Sequence, residues 1–313
     1  MTTIDTSDVF LSHLKVSPTL KKDNFTVQLE LQDLSPELEE VARTELRELP
    51  EIVKPAIDEL RALLKEDEEM TCPHQNDAWL VRFLRPTKFY PESAYKLIKN
   101  YYAFKLKHND IYKDLKPSNE QNVFDHNVLY VLPRRDHKGR RILVLELGKN
   151  WKHKKVCLDE VFKGAVLFLE AAMMEPSSQV AGAQVIFDMD GLSLQQAWQF
   201  TPTFAKRIVD WLQDSIPLRV KGIHVVNQPT IFNMVFALFK PLLREKLRNR
   251  IFFHSTDRDS LHKYLNPECL PEHYKGTLDV SLVTGPEWLS ILKQYDSEYE
   301  AIGQYGYKTK PKK

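Results

Sequence analysis

From Ile231 to Phe239 the chain reads IFNMVFALF, a run in which Asn233 is the only polar side chain. At helical spacing Ile231, Phe232, Val235, Phe236 and Phe239 form one stripe, and Met234 with Leu238 forms another. Such a helix avoids water on both faces. It is either buried all round, or it covers a cavity on one side and meets lipid on the other. Prolines bracket it. Pro229 suits a first turn, and Lys240-Pro241 ends the run because proline lacks an amide donor and disfavours helix in the residue before it. A second, shorter helix is expected over residues 241–249, with Arg244, Lys246, Arg248 and Arg250 near its end against one acid, Glu245. Part of that charge complements the helix dipole.

The whole chain is close to neutral, 44 basic against 43 acidic residues, but the charge is sorted along it. Residues 30–69 hold 14 acids and 5 bases, whereas residues 219–263 hold 9 bases and 3 acids. This distribution suits a protein that turns one face to an anionic surface. The bases are not interleaved with aromatics that could stack on nucleotides, so nucleic acid is not expected as a partner. Cys72, Cys157 and Cys269 are far apart, odd in number and without metal-ligand spacing, which predicts reduced thiols. The start, MTTIDTSDVFLSHLK, lacks the basic and apolar regions of a signal peptide, and no run of about 18 apolar residues occurs. The expectation is a cytoplasmic protein, monomeric, whose contact with membranes is peripheral and reversible.

Residues 1–30 are polar and predict a flexible arm. Ser35-Pro36-Glu37 then opens a helix, with serine to cap and proline in the first turn. Further helices are predicted over 52–67, 77–85 and 91–107, giving a helical domain over 31–118. Strands are predicted at 128–132 and 141–147, joined by a turn with Gly139 where a hairpin wants glycine. A helix at 158–174, a strand at 185–189, a helix at 201–213, a strand at 222–226, the two helices described above and a strand at 251–253 follow. Strands alternating with helices predict the α/β class, right-handed crossovers and a mostly parallel sheet over 119–300, with 301–313 a polar tail.

The strongest catalytic match is VIFDMDGLS at 185–193, since a strand ending in Asp-x-Asp-Gly is the nucleophile motif of haloacid dehalogenase-type phosphatases. Its context is wrong. The motif normally opens a domain and requires a later strand-end threonine and lysine, which are missing. A metal-dependent aspartyl phosphatase using Asp188 and Asp190 is the weaker alternative, and a capped strand end is the stronger. There is no phosphate-binding glycine loop, no HExxH and no GxSxG. His224 and His254 fall in or beside core strands and read as structural residues. No catalytic residue, metal or cofactor is expected, and binding is favoured over bond-making.

The segment PLRVKGIHVVNQPTIFNMVFALFKPLLREKLRNRIFFHS, with DAWLVRFLRPTKFYPESAYKLIKNYYAFK at 77–105, the hairpin DHKGRRILVLELG and the strand AGAQVIFDMDGLS, resembles the CRAL-TRIO family of lipid-transfer proteins. The resemblance runs colinearly over residues 50–300. It is nearest the branch with alpha-tocopherol transfer protein, cellular retinaldehyde-binding protein and the clavesins. It implies a CRAL-TRIO fold, in which a helical N-terminal part precedes a sheet flooring an apolar pocket closed by a gate helix.

Carried onto matching positions, the resemblance makes residues 229–239 the gate, with Phe232, Val235, Phe236 and Phe239 facing ligand or membrane. Pocket walls would come from Phe162, Ala165 and Leu169, from Phe187, from Ile208, Trp211 and Leu212, and from Ile223. Ser193 and Thr203 are candidate partners for a ligand hydroxyl. A basic cleft for phosphoinositide headgroups would use Arg219, Lys221, Lys246 and Arg250, by charge-assisted hydrogen bonds. The implied function is transfer of a small hydrophobic ligand, a retinoid, tocopherol or related prenoid lipid, between membranes, with docking at endosomal or other phosphoinositide-bearing surfaces. A phosphoinositide-dependent trafficking adaptor is the other alternative.

Overall fold

The computed structural model describes residues 9–12, 14 and 17–308. Near the start a hairpin pairs β1 (Thr19–Lys22) with β2 (Phe25–Gln28), and β3 (Met70–Thr71) pairs with β9 (Gly306–Tyr307), both antiparallel. The central sheet holds β4 (Leu129–Val131), β5 (Arg141–Glu146), β6 (Ala183–Asp188), β7 (Val220–Val226) and β8 (Ile251–Ser255), neighbours in chain order. β4 is antiparallel to β5, and the other three pairs are parallel. A parallel neighbour needs a crossover, nearly always right-handed, so crossovers stepping the same way stack their helices on one face of the sheet.

Side-chain alternation gives the two faces different chemistry. Leu143 and Leu145 of β5 and Val185 and Phe187 of β6 face the helices. Gln184 and His224 are buried on the other face, where His224 Nδ1 lies 3.0 Å from His254 Nε2 and His224 Nε2 lies 3.2 Å from Gln184 Oε1. His254 Nδ1 continues the chain to Ser260 Oγ at 2.8 Å. Burial drives His224 down to about 3, so its ring stays neutral and serves the fold.

The long helix Leu158–Met174 opens on a capping box in which the Cys157 N–H donates to Glu160 Oε2 at 2.8 Å. Thr201 caps the helix Pro202–Asp210 through the Phe204 N–H at 3.1 Å. That helix was expected to run to Gln213; instead it widens into a π turn over Trp211–Ser215. The expected helix at 241–249 is also broken. Leu243 is extended and buried, the Arg244 N–H donates to Gln213 Oε1 at 2.7 Å, and helix resumes only over Glu245–Arg248.

Helices Pro36–Leu46, Pro50–Glu66, Asp77–Leu84 and Pro91–Lys107 make up the N-terminal part. The second buries Val53, Ala56, Ile57, Leu60 and Leu64, a stripe at helical spacing that packs with Trp79, Phe83 and Tyr102 in a core of its own. The expected arm at 1–30 is docked where it is described. Its β1–β2 hairpin turns at Asp23, buries Val27 and is held by Lys22 Nζ at 2.7 Å from Glu287 Oε1. Two four-residue strands inside a polar stretch give too little alternation to be read. The expected tail is likewise paired at β9, while residues 1–8, 13, 15, 16 and 309–313 lie outside the described residues.

Candidate binding site

Between the apolar face of the sheet and its helices lies a narrow apolar cavity of about 160 Å³, in part continuous with solvent. Pockets that hold small molecules are roughly 300–1,000 Å³, so an extended lipid enters only as the helices move away from the sheet. Phe162, Ala165, Leu169, Phe187, Ile208, Trp211, Leu212, Ile223 and Phe239 all line it. Phe162 meets Trp211 edge to face at 5.0 Å and fixes the long helix against the crossover. Walls that the sequence did not single out include Leu143, Leu145, Phe168, Phe200 and Trp288. Trp288 comes from helix Gly285–Leu292 and is oriented by its Nε1–H donating to the Val131 carbonyl at 3.0 Å. Ser193 and Thr203 stay out of the wall. Ser193 caps Leu194–Ala197, donating to Gln196 Oε1 at 2.9 Å, and Thr203 is exposed on the first turn of its helix.

Where β5 begins, the wall becomes charged. Glu175 accepts from Arg141 Nη2 at 2.5 Å, Arg135 Nη2 at 2.9 Å, Ser178 Oγ at 2.6 Å and the Glu30 N–H at 2.9 Å. Burial alone would raise its pKa, but Arg141 and then Arg135 overcome that and hold it at about 2 against an ordinary 4.5. The folded value is depressed, so this contribution to stability is complete above pH 4.5 and is lost as pH falls through 2. Glu175→Ala takes the main partner from the buried Arg141 and one of two acids from the half-buried Arg135, and is expected to cost about 3–5 kcal/mol in denaturant unfolding.

The helix over the cavity spans Phe232–Phe239, led in by a turn in which the Phe232 N–H donates to the Pro229 carbonyl at 2.9 Å. Of the four aromatic and aliphatic positions expected to face ligand or membrane, only Phe239 lines the cavity. Val235 is buried in the core, and Phe232 stacks on Phe236 at 6.3 Å. Both rings meet Phe253 of β8, at 6.2 and 4.9 Å. The stripe is real, but its first turns rest on the edge strand and only its last turn reaches over the cavity. On the outside Met234 is 52% exposed, and nearby Leu194 and Trp198 are 44% and 64% exposed, an apolar rim on an otherwise polar surface.

The four expected cations converge. Gly182, at φ +88°, ends helix Pro176–Ala181, and a Cβ there would lie 2.2 Å from the Arg219 carbonyl oxygen, so only glycine lets the chain pass. Arg219 Nη1 donates to the Val180 carbonyl at 2.7 Å. Beside it the register slips: Ala183 faces Val220 but Gln184 faces Gly222, leaving Lys221 as the extra residue of a bulge. Val220 therefore stays in the cavity wall while Lys221 joins Arg219. Arg250 Nη1 donates to the Val220 carbonyl at 2.5 Å, and Lys246 comes from the short helix before it. Burial, then Arg250 and Arg219, lowers the pKa of Lys246; burial, then Arg219 and Arg140, lowers that of Arg250. Lys221 is pushed to about 8, first by burial and then by Arg219, with Glu45 pulling the other way. Arg140 and Lys88 thus extend the cluster. Two acids meet it: Glu45 Oε2 lies 2.6 Å from Arg219 Nη2 and 3.5 Å from Lys221 Nζ, and Asp136 Oδ2 lies 3.9 Å from Arg140 Nη1.

The acidic turn after β6 is engaged elsewhere. Asp188 Oδ1 accepts from the Asp190 N–H at 3.0 Å and Asn227 Nδ2 at 2.9 Å, and its Oδ2 accepts from the Tyr274 hydroxyl at 2.9 Å. Asp190 pairs with Lys149. These carboxylates tie the strand ends together, as expected of a capped turn.

The region from 125 to 276, which contains the central sheet, the covering helix and most of the cleft, matches the CRAL/TRIO domain. Clavesin-1 of Pongo abelii is 36% identical over 248 residues, 78% of this chain and 70% of that protein. The chain belongs to the CRAL/TRIO family. Alpha-tocopherol transfer protein-like of Mus musculus is 35% identical over 244 residues, 78% of this chain and 71% of its own, and clavesin-2 of Homo sapiens is 36% identical over 248 residues, 78% and 75%. The solved structure of Sfh5 overlaps 79% of this chain at a TM-score of 0.42 and 17% identity, too distant to add weight. CRAL/TRIO proteins bind hydrophobic ligands, and the cavity is the apolar space this one offers for such a ligand. Among its described residues no helix is long and apolar enough to cross a membrane.

Proposed function

We propose that this CRAL/TRIO protein carries a small, mostly apolar lipid, a retinoid, tocopherol or related prenoid, and transfers it between membranes that it recognises through phosphoinositide headgroups. The observation that carries the reading is the apolar cavity, reached over by the last turn of a helix that exposes Met234 on its outer side. A buried void of this kind is useless to a stable fold but suits a removable occupant. The relative named alpha-tocopherol transfer protein-like agrees with it.

In this mechanism the cavity shields the lipid from water while the protein diffuses. At a membrane, Arg219, Lys221, Lys246 and Arg250 hold the anionic headgroup, and Met234, Leu194 and Trp198 enter the apolar layer. The membrane favours the lifted state of the covering helix because only that state gives Phe232, Phe236 and Phe239 a lipid surface. No bond is made or broken.

Lys221 adds a pH dependence. Its charged form binds phosphate and its pKa in the free cleft is about 8, so affinity is expected to weaken as pH rises from 7 to 9. Lys221→Arg should flatten that slope in vesicle co-sedimentation, because arginine keeps its proton throughout. The transfer reading itself is tested with a fluorescent retinoid or tocopherol moved between vesicles. Acceleration by the protein, greater when the acceptor contains a phosphoinositide bisphosphate, is expected. Vesicle binding without transfer would overturn it in favour of an adaptor.

A further inference from the structure

The cavity wall is apolar except where Arg141 and Glu175 enter it at the start of β5. Arg141 is 7% exposed, and it gives Nε to Glu175 Oε2 at 3.1 Å and Nη2 to Glu175 Oε1 at 2.5 Å and to the Gln28 carbonyl at 3.3 Å. Its Nη1 donates to no described residue, and it is not among the partnerless polar atoms sealed off from solvent. Arg141 is itself part of the cavity wall, and Nη1 is the one guanidinium nitrogen it leaves without a partner among the described residues. The Glu175 oxygens in the same wall already accept from Arg141, Arg135, Ser178 and the Glu30 N–H, so they leave Nη1 unmatched, and a buried donor left unmatched is costly.

The surrounding charge decides which acceptor fits. Arg141 and Arg135 are balanced by Glu175 and Glu30, with Arg135 Nε 2.5 Å from Glu30 Oε2 and Arg141 Nη2 3.4 Å from Glu30 Oε1. A ligand carboxylate would bring a third anion to a cluster already neutral, with no cation left to pair it. A hydroxyl, carbonyl or ester oxygen takes the N–H bonds without adding charge. Length points the same way. From Arg141 to Leu147 the wall follows six residue steps of extended chain, roughly 20 Å, and leads away from the charged end.

We infer that Arg141 is the polar contact of the cavity, and that the ligand is a long hydrocarbon with one uncharged oxygen at its head, lying head to Arg141 and tail along β5. This rests on the lipid-carrier reading above. The probes are hexadecane, hexadecanol, methyl hexadecanoate and hexadecanoic acid, competing for the delipidated full-length protein in native mass spectrometry. The alcohol and ester are expected to bind about tenfold more tightly than the hydrocarbon, the gain of one hydrogen bond to a charged donor, and more tightly than the acid. In Arg141→Met/Glu175→Met, which removes both partners of the buried pair, that preference should collapse while hexadecane binds as before. Equal binding of hexadecane and hexadecanol, or tightest binding of the acid, would overturn the assignment even if the variant failed to fold. So would a preference that survives in the folded variant. Failure of all four probes to bind the unmodified protein would instead remove the carrier reading on which it stands.

Discussion

Replacing Arg219, Lys221, Lys246 and Arg250 together with alanine is expected to weaken binding to vesicles containing a phosphoinositide bisphosphate by about three decades. The estimate takes roughly 1 kcal/mol for each cation near an anionic surface and about 1.4 kcal/mol per decade. It is supported by how little opposes the field: burial and the neighbouring cations are what lower Lys246 and Arg250, with no acid acting on either. Glu45 supplies the opposite arm. Its carboxylate already sits where a phosphate oxygen would, against Arg219 and Lys221, so a headgroup must displace it. Glu45→Gln should strengthen binding by up to about fivefold, the value of a partly exposed ion pair. Both effects should shrink as salt is raised, because the cleft is open to screening. Vesicle co-sedimentation across a salt series measures all of this, and a quadruple variant that binds as well as its parent would remove the cleft from the mechanism.

Filling the cavity is expected to abolish ligand uptake while leaving membrane recognition intact. Ala165 lines the wall on the long helix and Ala172 lies seven residues on, both facing the void. Ala165→Trp/Ala172→Phe places two rings where the lipid would lie. In a packed core such enlargement costs about 1–3 kcal/mol; here part of the added bulk enters the cavity, so the loss of thermal stability should stay within that range. Retinoid or tocopherol binding, followed by ligand fluorescence, should fall by tenfold or more, the loss of over 1.4 kcal/mol. Vesicle binding through the cleft should be unchanged. Transfer should stop.

What the sequence revealed and what it hid follow from the range of the interactions involved. The covering helix was legible because its apolar stripes repeat within nine residues, whereas the cavity-facing positions of the long helix came only from the CRAL-TRIO resemblance. The strand faces were not. RILVLE and AQVIFD are covered on both sides, so nothing local told Leu143 from Ile142. Lys221 owes its direction to a bulge that exists only once β6 and β7 pair. Glu45 meets Arg219 across 174 residues of sequence, and Arg140 and Lys88 join from two separate turns; no periodicity reports such meetings. Ser193 and Thr203 were sought as polar partners because hydroxyls suit a ligand hydroxyl, yet capping and exposure account for them, and the polar group at the wall proved to be a charged pair.

The central claim is that the cavity holds a lipid that leaves at a membrane. Native mass spectrometry of the protein purified from its own tissue, before and after incubation with phosphoinositide-bearing vesicles, tests this most directly. The account predicts a one-to-one complex with a small apolar lipid, whose mass increment disappears after the vesicles are added. Protein recovered empty, and still empty after exposure to retinoid and tocopherol, would contradict it.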